Sequence, residues 1–215
     1  AYSYAWMIIF AVIAAIMVLI GLYHIRMLPS NQIPSTTKKT TSEVGRELVA
    51  VIANFFTKKH IFYYICFIIL YRLAEGFIMK IAPLFLRASR EVGGLGLSLK
   101  EIGTLNGVFG SAAFVLGSLL AGIYVSKFGL KRTLFTLCCI FNLPFLAYTF
   151  LAVTQPTNVY LIGTCITMEY FGYGFGFVGL TLFMMQQIAP GKHQMSHYAF
   201  ASGIMNLGVM LPGMV

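Results

Sequence analysis

The sequence predicts an all-α integral membrane protein, a helical bundle with five full spans and part of a sixth. Three observations predict it. Apolar residues make up 59% of the 215 and charged residues only 10%, against roughly 25% charged in a soluble domain. The apolar residues gather in runs of about 20, the length a helix needs to cross about 30 Å of hydrocarbon. The charges collect mostly in the segments between those runs.

The runs fall at about 3–27, 60–83, 101–125, 132–153 and 159–188, and a sixth starts near His197 and is still apolar at Val215. Residue 1 is not Met, and the first run begins at once, without the charged flank of a signal peptide. The chain is therefore expected to be a fragment of something longer. Its expected division is a transmembrane helix at 1–27, a central cytoplasmic loop at 28–59 and a transmembrane bundle at 60–215.

Within the loop, residues 28–41 are polar and contain proline, and read as flexible. Residues 43–56 place Val44, Leu48, Val51, Ile52 and Phe55 on one helical face, which predicts a short helix lying on the cytoplasmic membrane surface. Ser98-Leu-Lys-Glu101 has the spacing of a capping box and marks the start of the third span. In the fourth span Pro144, with Asn142 nearby, predicts a kink.

Orientation follows from the loop cations. Lys38, Lys39, Arg46, Lys58 and Lys59 lie in 28–59, Lys127, Lys131 and Arg132 in 126–132, and Lys192 in 189–196. These nine share one side, and the opposite side holds three, Arg87, Arg90 and Lys100. The positive-inside rule makes the first set cytoplasmic and the amino terminus external. The net charge of +9 thus reports topology, and no nucleic-acid partner is expected. Cys66, Cys138, Cys139 and Cys165 all lie inside apolar runs, which predicts small core residues and not a disulfide framework.

Charges within the spans point to function, because an ionisable side chain at mid-membrane costs about 3 kcal/mol even on insertion scales. All six acidic residues are glutamates. Arg72 and Glu75 stand three apart on one face of the second span, roughly 18–22 Å from its cytoplasmic end. Glu169 in the fifth span lies at a similar depth. Together they predict a polar cavity facing the bundle interior. Asn106 and Asn206 are further candidates for binding solute or coupling a proton. Glu169 has no cation within a turn, so it is the better candidate to accept a coupling proton. The alternative is structural: Arg72 and Glu75 pair, and Glu169 is a hydrogen-bonded packing residue. Lys80, near the outer end of its span, is explained by snorkelling.

Small residues form stripes. Asn106, Gly110, Ala113, Gly117 and Ala121 share one face of the third span, and Glu169 shares its face with Gly172, Tyr173 and Gly176. Gly103-Gly107 and Gly172-Gly176 have the spacing that lets membrane helices pack closely. The alternation from Gly172 to Phe177 could also soften its helix for a bend. His193 and His197 are four apart but lack a third ligand nearby, so no metal and no cofactor is expected. No Ser/His/Asp set, phosphate loop or paired catalytic carboxylates stand out, and the sequence does not predict an enzyme.

Gly122-Ile-Tyr-Val-Ser126-Lys127-Phe-Gly129-Leu-Lys131-Arg132 resembles the loop motif of the major facilitator superfamily, with Ser126 in place of the motif's acid. Three further stretches are similar to its muropeptide permease (AmpG-type) branch, whose relatives include acetyl-coenzyme A transporters. They are Arg72-Leu-Ala-Glu75-Gly76-Phe with Pro83-Leu-Phe-Leu, Leu97-Ser-Leu-Lys-Glu-Ile-Gly103, and Met168-Glu169-Tyr-Phe-Gly172 with Gln194-Met-Ser-His-Tyr198-Ala. The similarity runs from about residue 60 to the end. It implies a twelve-span secondary transporter that imports sugar-peptides by alternating access with protons, in the bacterial inner membrane. This chain would be span six, the central loop, and spans seven to eleven, the last truncated. Its implied partners are a sugar-peptide solute, the proton, membrane lipid and a missing six-helix amino-terminal half. Gly122, Lys127, Gly129, Lys131 and Arg132 would form the loop that moves between conformations. A membrane sensor or assembly subunit with purely structural charges, or a carrier of another amphipathic solute, remains the alternative.

Overall fold

Backbone N–H and C=O groups in hydrocarbon have no water to bond, so apolar runs of this length satisfy themselves by winding into helices. The computed structural model describes residues 2–27 and 40–214, and no strand occurs among them. The polar linker 28–39, with its expected flexibility, lies outside the described residues. The chain divides into two units, Ala1–Val44 and Gly45–Val215. The first contains α1 (Tyr2–Met27), which has no charged residue before His24 and Arg26 in its last turn.

The second unit begins inside α2 (Thr41–Phe56) and continues through α3 (Ile61–Arg87). Next come α4 (Leu99–Thr104), a wide π turn at Leu105–Gly110, and α5 (Ser111–Phe128). Then follow α6 (Leu130–Asn142), α7 (Leu146–Thr154), α8 (Val159–Phe183) with a second wide turn at Met184–Ile188, and α9 (Gln194–Met210). The helix of the second span runs straight through Pro83 to Arg87, four residues beyond its expected end at residue 83.

Among the described residues four helices are long and apolar enough to cross a membrane: Tyr4–Met27, Ile61–Arg87, Leu99–Phe128 and Leu130–Thr154. The expected fifth span is long enough, but its glycines, tyrosines and Glu169 dilute its apolarity. Its place explains this. α8 packs against both α5 and α6 and so meets protein where the others meet lipid. α9 packs on α3.

Local sequence sets the ends and breaks. The capping box is formed: Glu101 N–H donates to Ser98 Oγ at 3.2 Å, and Ser98 N–H donates back to Glu101 Oε2 at 2.8 Å. At Leu143–Phe145 the helix tightens into a 3₁₀ turn around Pro144, which lacks an N–H to donate.

Packing corrects one expectation about glycine. Gly103 and Gly107 make no close approach, since an added methyl would meet nothing within 4 Å. The alternating glycines of α8 leave its helix unbroken from Val159 to Phe183. They are where neighbouring backbones touch it: Gly174 abuts the Phe114 carbonyl of α5, and Gly172 and Gly176 abut the carbonyls of Ile140 and Leu137 on α6.

The part of α2 within this unit buries Val51 and Phe55. The Phe55 ring lies 5.7 Å from His197 and 5.6 Å from Phe200, both on α9. Just beyond, Lys58 donates to the carbonyls of Ile188 and Pro190, closing the turn between α8 and α9. Desolvation there holds the Lys58 pKa below its ordinary value.

Candidate functional site

Three buried charged groups, Arg72, Glu75 and Glu169, lie where side chains of α3, α7 and α8 reach one another. Arg72 and Glu75 are one turn apart on α3 and only 6% and 3% exposed. Arg72 Nε donates to Glu75 Oε2 at 2.7 Å, and Arg72 Nη2 donates to Glu75 Oε1, so the guanidinium grips the carboxylate with two parallel bonds. The cation also lies 5.3 Å above the centre of the Phe177 ring.

α8 supplies the opposite wall. Glu169, Tyr173 and Phe177 follow at four-residue steps and therefore stack along one side of the helix. Tyr173 interacts with both members of the ion pair. Glu169 is 8% exposed and close enough to Glu75 for the two carboxylates to repel, and Tyr148 of α7 reaches it with its hydroxyl. The guanidinium is thus committed to one carboxylate, and a second buried carboxylate stands beside the pair. Glu75 is neutralised by Arg72, which leaves Glu169 as the group free to take up a further positive charge, a proton or the cationic group of a bound molecule.

α3 is fixed against α8 by a buried hydrogen bond, in which Tyr71 Oη donates to the Gly176 carbonyl at 2.8 Å. Tyr71→Phe removes that bond while leaving the ring packed on Phe141. The expected loss is about 1 kcal/mol. That lowers the melting temperature by roughly 2–4 °C for a chain of this size, measurable by thermal unfolding in detergent.

The other expected site residues are not gathered here. Asn206 is exposed on α9. Asn106 lies in the wide turn, half-buried, and its Oδ1 has no partner among the described residues. The expected stripe also misplaces it. Gly110, Ala113, Gly117 and Ala121 are buried as a face, but the next buried residue is Leu105, five before Gly110. The extra residue in the π turn rotates Asn106 off the stripe.

In the loop motif Gly129 has φ +79°, a conformation that glycine alone adopts without strain. Lys127 lies 5.5 Å above the Phe128 ring, Ser126 Oγ donates to the Ile123 carbonyl at 2.8 Å, and Lys131 and Arg132 are exposed. An added methyl at Gly122 would meet nothing within 4 Å, so packing does not demand that glycine. Among the described residues no group of three or more His, Cys or Glu could hold a metal.

Sequence reasoning missed Tyr148 and Phe177 as wall residues and named Tyr173 only as a neighbour. For Tyr173 and Phe177 a signal existed, their four-residue spacing from Glu169. For Tyr148 none did, because its approach depends on how α7 leaves the Pro144 turn.

Comparison with known proteins agrees with a membrane bundle of this kind. The family profile described as Major Facilitator Superfamily matches residues 1–215. Two curated relatives are the anhydromuropeptide permeases of Escherichia coli strain K12 and of Escherichia coli O157:H7. Each is 23% identical over 182 residues, covering 85% of this chain and 36% of the relative. The chain therefore spans about a third of the length of the curated relatives it matches. No solved structure matches it.

Proposed function

This chain belongs to the Major Facilitator Superfamily, and from that premise we propose that it forms part of a proton-coupled secondary transporter for an amphipathic sugar-peptide. The observation that carries the reading is a buried carboxylate, Glu169, standing without a cation beside the buried Arg72–Glu75 ion pair. Such groups are costly in a membrane and mark solute or proton pathways. Glu169, without a cation of its own, is the proton acceptor of this proposal. Arg72 and Glu75 hold a charged group of the solute, and the rings of Tyr173 and Phe177 offer flat faces for its sugars or side chains.

In this proposal α1 is span six, 28–59 is the central cytoplasmic loop, and the helices from α3 onward are spans seven to eleven. The loops rich in cations then face the cytoplasm of a bacterial inner membrane. The solute class is drawn from the curated relatives, whose printed name is anhydromuropeptide permease. Asn106 and Asn206 stay in the proposal as polar groups for the solute, and the basic loop around Gly129 as the segment that moves between states.

The test is uptake of labelled anhydromuropeptide into proteoliposomes by the full-length protein that carries this chain, with and without a pH gradient. Glu169→Gln is expected to abolish the stimulation by an inward proton gradient while leaving exchange of solute across the membrane intact. Unchanged gradient dependence at full uptake overturns the assignment of Glu169. Failure of the unsubstituted protein to move the solute overturns the substrate class.

A further inference from the structure

A cavity of about 740 Å³ lies between α4 with its wide turn and the first half of α8. It is separate from the acidic cluster. Tyr160, Gly163, Thr164 and Thr167 line it, whereas Glu169 stands two residues beyond Thr167 and so about 200° round the same helix. From Leu99 to Phe109 the cleft descends roughly 15 Å, half of a hydrocarbon core of about 30 Å. It is thus one leaflet deep, on the side of the 88–98 segment.

The chemistry of its wall is more apolar than its residue names. Thr104, Thr164 and Thr167 each turn their hydroxyl back onto a carbonyl four residues earlier in their own helix, at 2.9, 2.9 and 2.7 Å. Those donors are spent, and what remains on the wall is mostly methyl, Leu105, Phe109, Val159 and Met168, with the Tyr160 side chain. At the mouth, Glu101 is also committed, with Oε2 accepting from both the backbone N–H and the hydroxyl of Ser98 at 2.8 and 2.6 Å. Lys100 is different. Its exposed ammonium has no hydrogen-bond or ion-pair partner among the described residues.

An apolar slot one leaflet deep under a single uncommitted cation matches one kind of molecule. We propose that the cleft holds an acyl chain of an anionic phospholipid, whose headgroup phosphate lies on Lys100. With its threonine hydroxyls spent, the slot offers a water-soluble solute few donors beyond the Tyr160 hydroxyl.

The experiment reconstitutes the full-length protein that carries this chain into nanodiscs containing phosphatidylglycerol with a photoreactive group midway along one acyl chain. Illumination, proteolysis and mass spectrometry then locate the label. It is expected to concentrate on 105–109 and 163–168 above the level on the exposed residues of α3. Thr164→Trp, which fills the slot, is expected to reduce it to that level while leaving α3 labelling unchanged. Lys100→Gln, an exposed change that leaves the slot open, is expected to lower labelling by phosphatidylglycerol about fivefold. The equivalent phosphatidylcholine probe is expected to label both proteins equally. Label no denser in the cleft than on α3, or undiminished by Thr164→Trp, overturns the site. A Lys100→Gln protein that still labels fully with phosphatidylglycerol overturns the headgroup assignment.

Discussion

Gly174→Val is expected to stop α5 and α8 from packing, leaving a protein that elutes as aggregate from size-exclusion chromatography in detergent. A side chain at this position would run into the carbonyl group and Cα of Phe114, which are backbone atoms and cannot swing aside. The contact is reciprocal, since the space over Gly117 is filled by the Phe171 carbonyl and the Phe175 N–H of α8. Ser118 fastens the same crossing, its hydroxyl donating to Phe114 at 2.9 Å and to Gly174 at 3.1 Å. Overfilling a packed site with side-chain neighbours costs about 1–3 kcal/mol. Here two helix axes must separate, and every contact along the crossing is lost with them. Gly103→Val is the matched control, because nothing lies within 4 Å of a methyl there. Its elution profile is expected to stay that of the parent protein.

The second large effect comes from splitting the ion pair. Arg72→Leu leaves the Glu75 carboxylate 3% exposed with its bidentate partner gone. Removing one member of a buried pair costs about 3–5 kcal/mol. For a chain of this size that is a fall of roughly 10 °C in melting temperature. The double replacement Arg72→Leu with Glu75→Leu is expected to regain most of the loss, because two apolar groups leave no buried charge uncompensated. Stability and transport then separate. If the pair serves the solute, the double variant folds but carries nothing in the proteoliposome assay. If the pair only holds helices together, the double variant transports as the parent does, and the proposed role of Arg72 and Glu75 is lost.

Much of this architecture was legible because membrane helices are written in long, uniform runs. The capping box at Ser98 and the break at Pro144 were legible too, since each is governed by residues three or four apart. The polar site was half legible. Arg72, Glu75 and Glu169 stand out because charge in an apolar run has no ordinary explanation. The aromatic residues around them do not, for tyrosine and phenylalanine are as common on a lipid-facing side as on a buried one. Tyr148 meets Glu169 only through the fold. Gly103 and Gly107 failed in the other direction, having the spacing of a close contact but nothing within 4 Å among the described residues. The burial of His197 under Phe55 was equally invisible, because the two lie 142 positions apart in the sequence.

The wide turns at Leu105–Gly110 and Met184–Ile188 bear on how this chain is to be compared with any other. Each holds one residue more than an α-helix of the same rise would, so the segments on either side are out of phase by about 100°. A homologue wound regularly throughout would superpose on the two sides together only if a single-residue gap were opened inside the turn. An alignment that runs ungapped through 105–110 therefore pairs residues pointing in different directions on one side of it. At low identity, that one position decides whether Asn106 is matched to its true counterpart or to a neighbour.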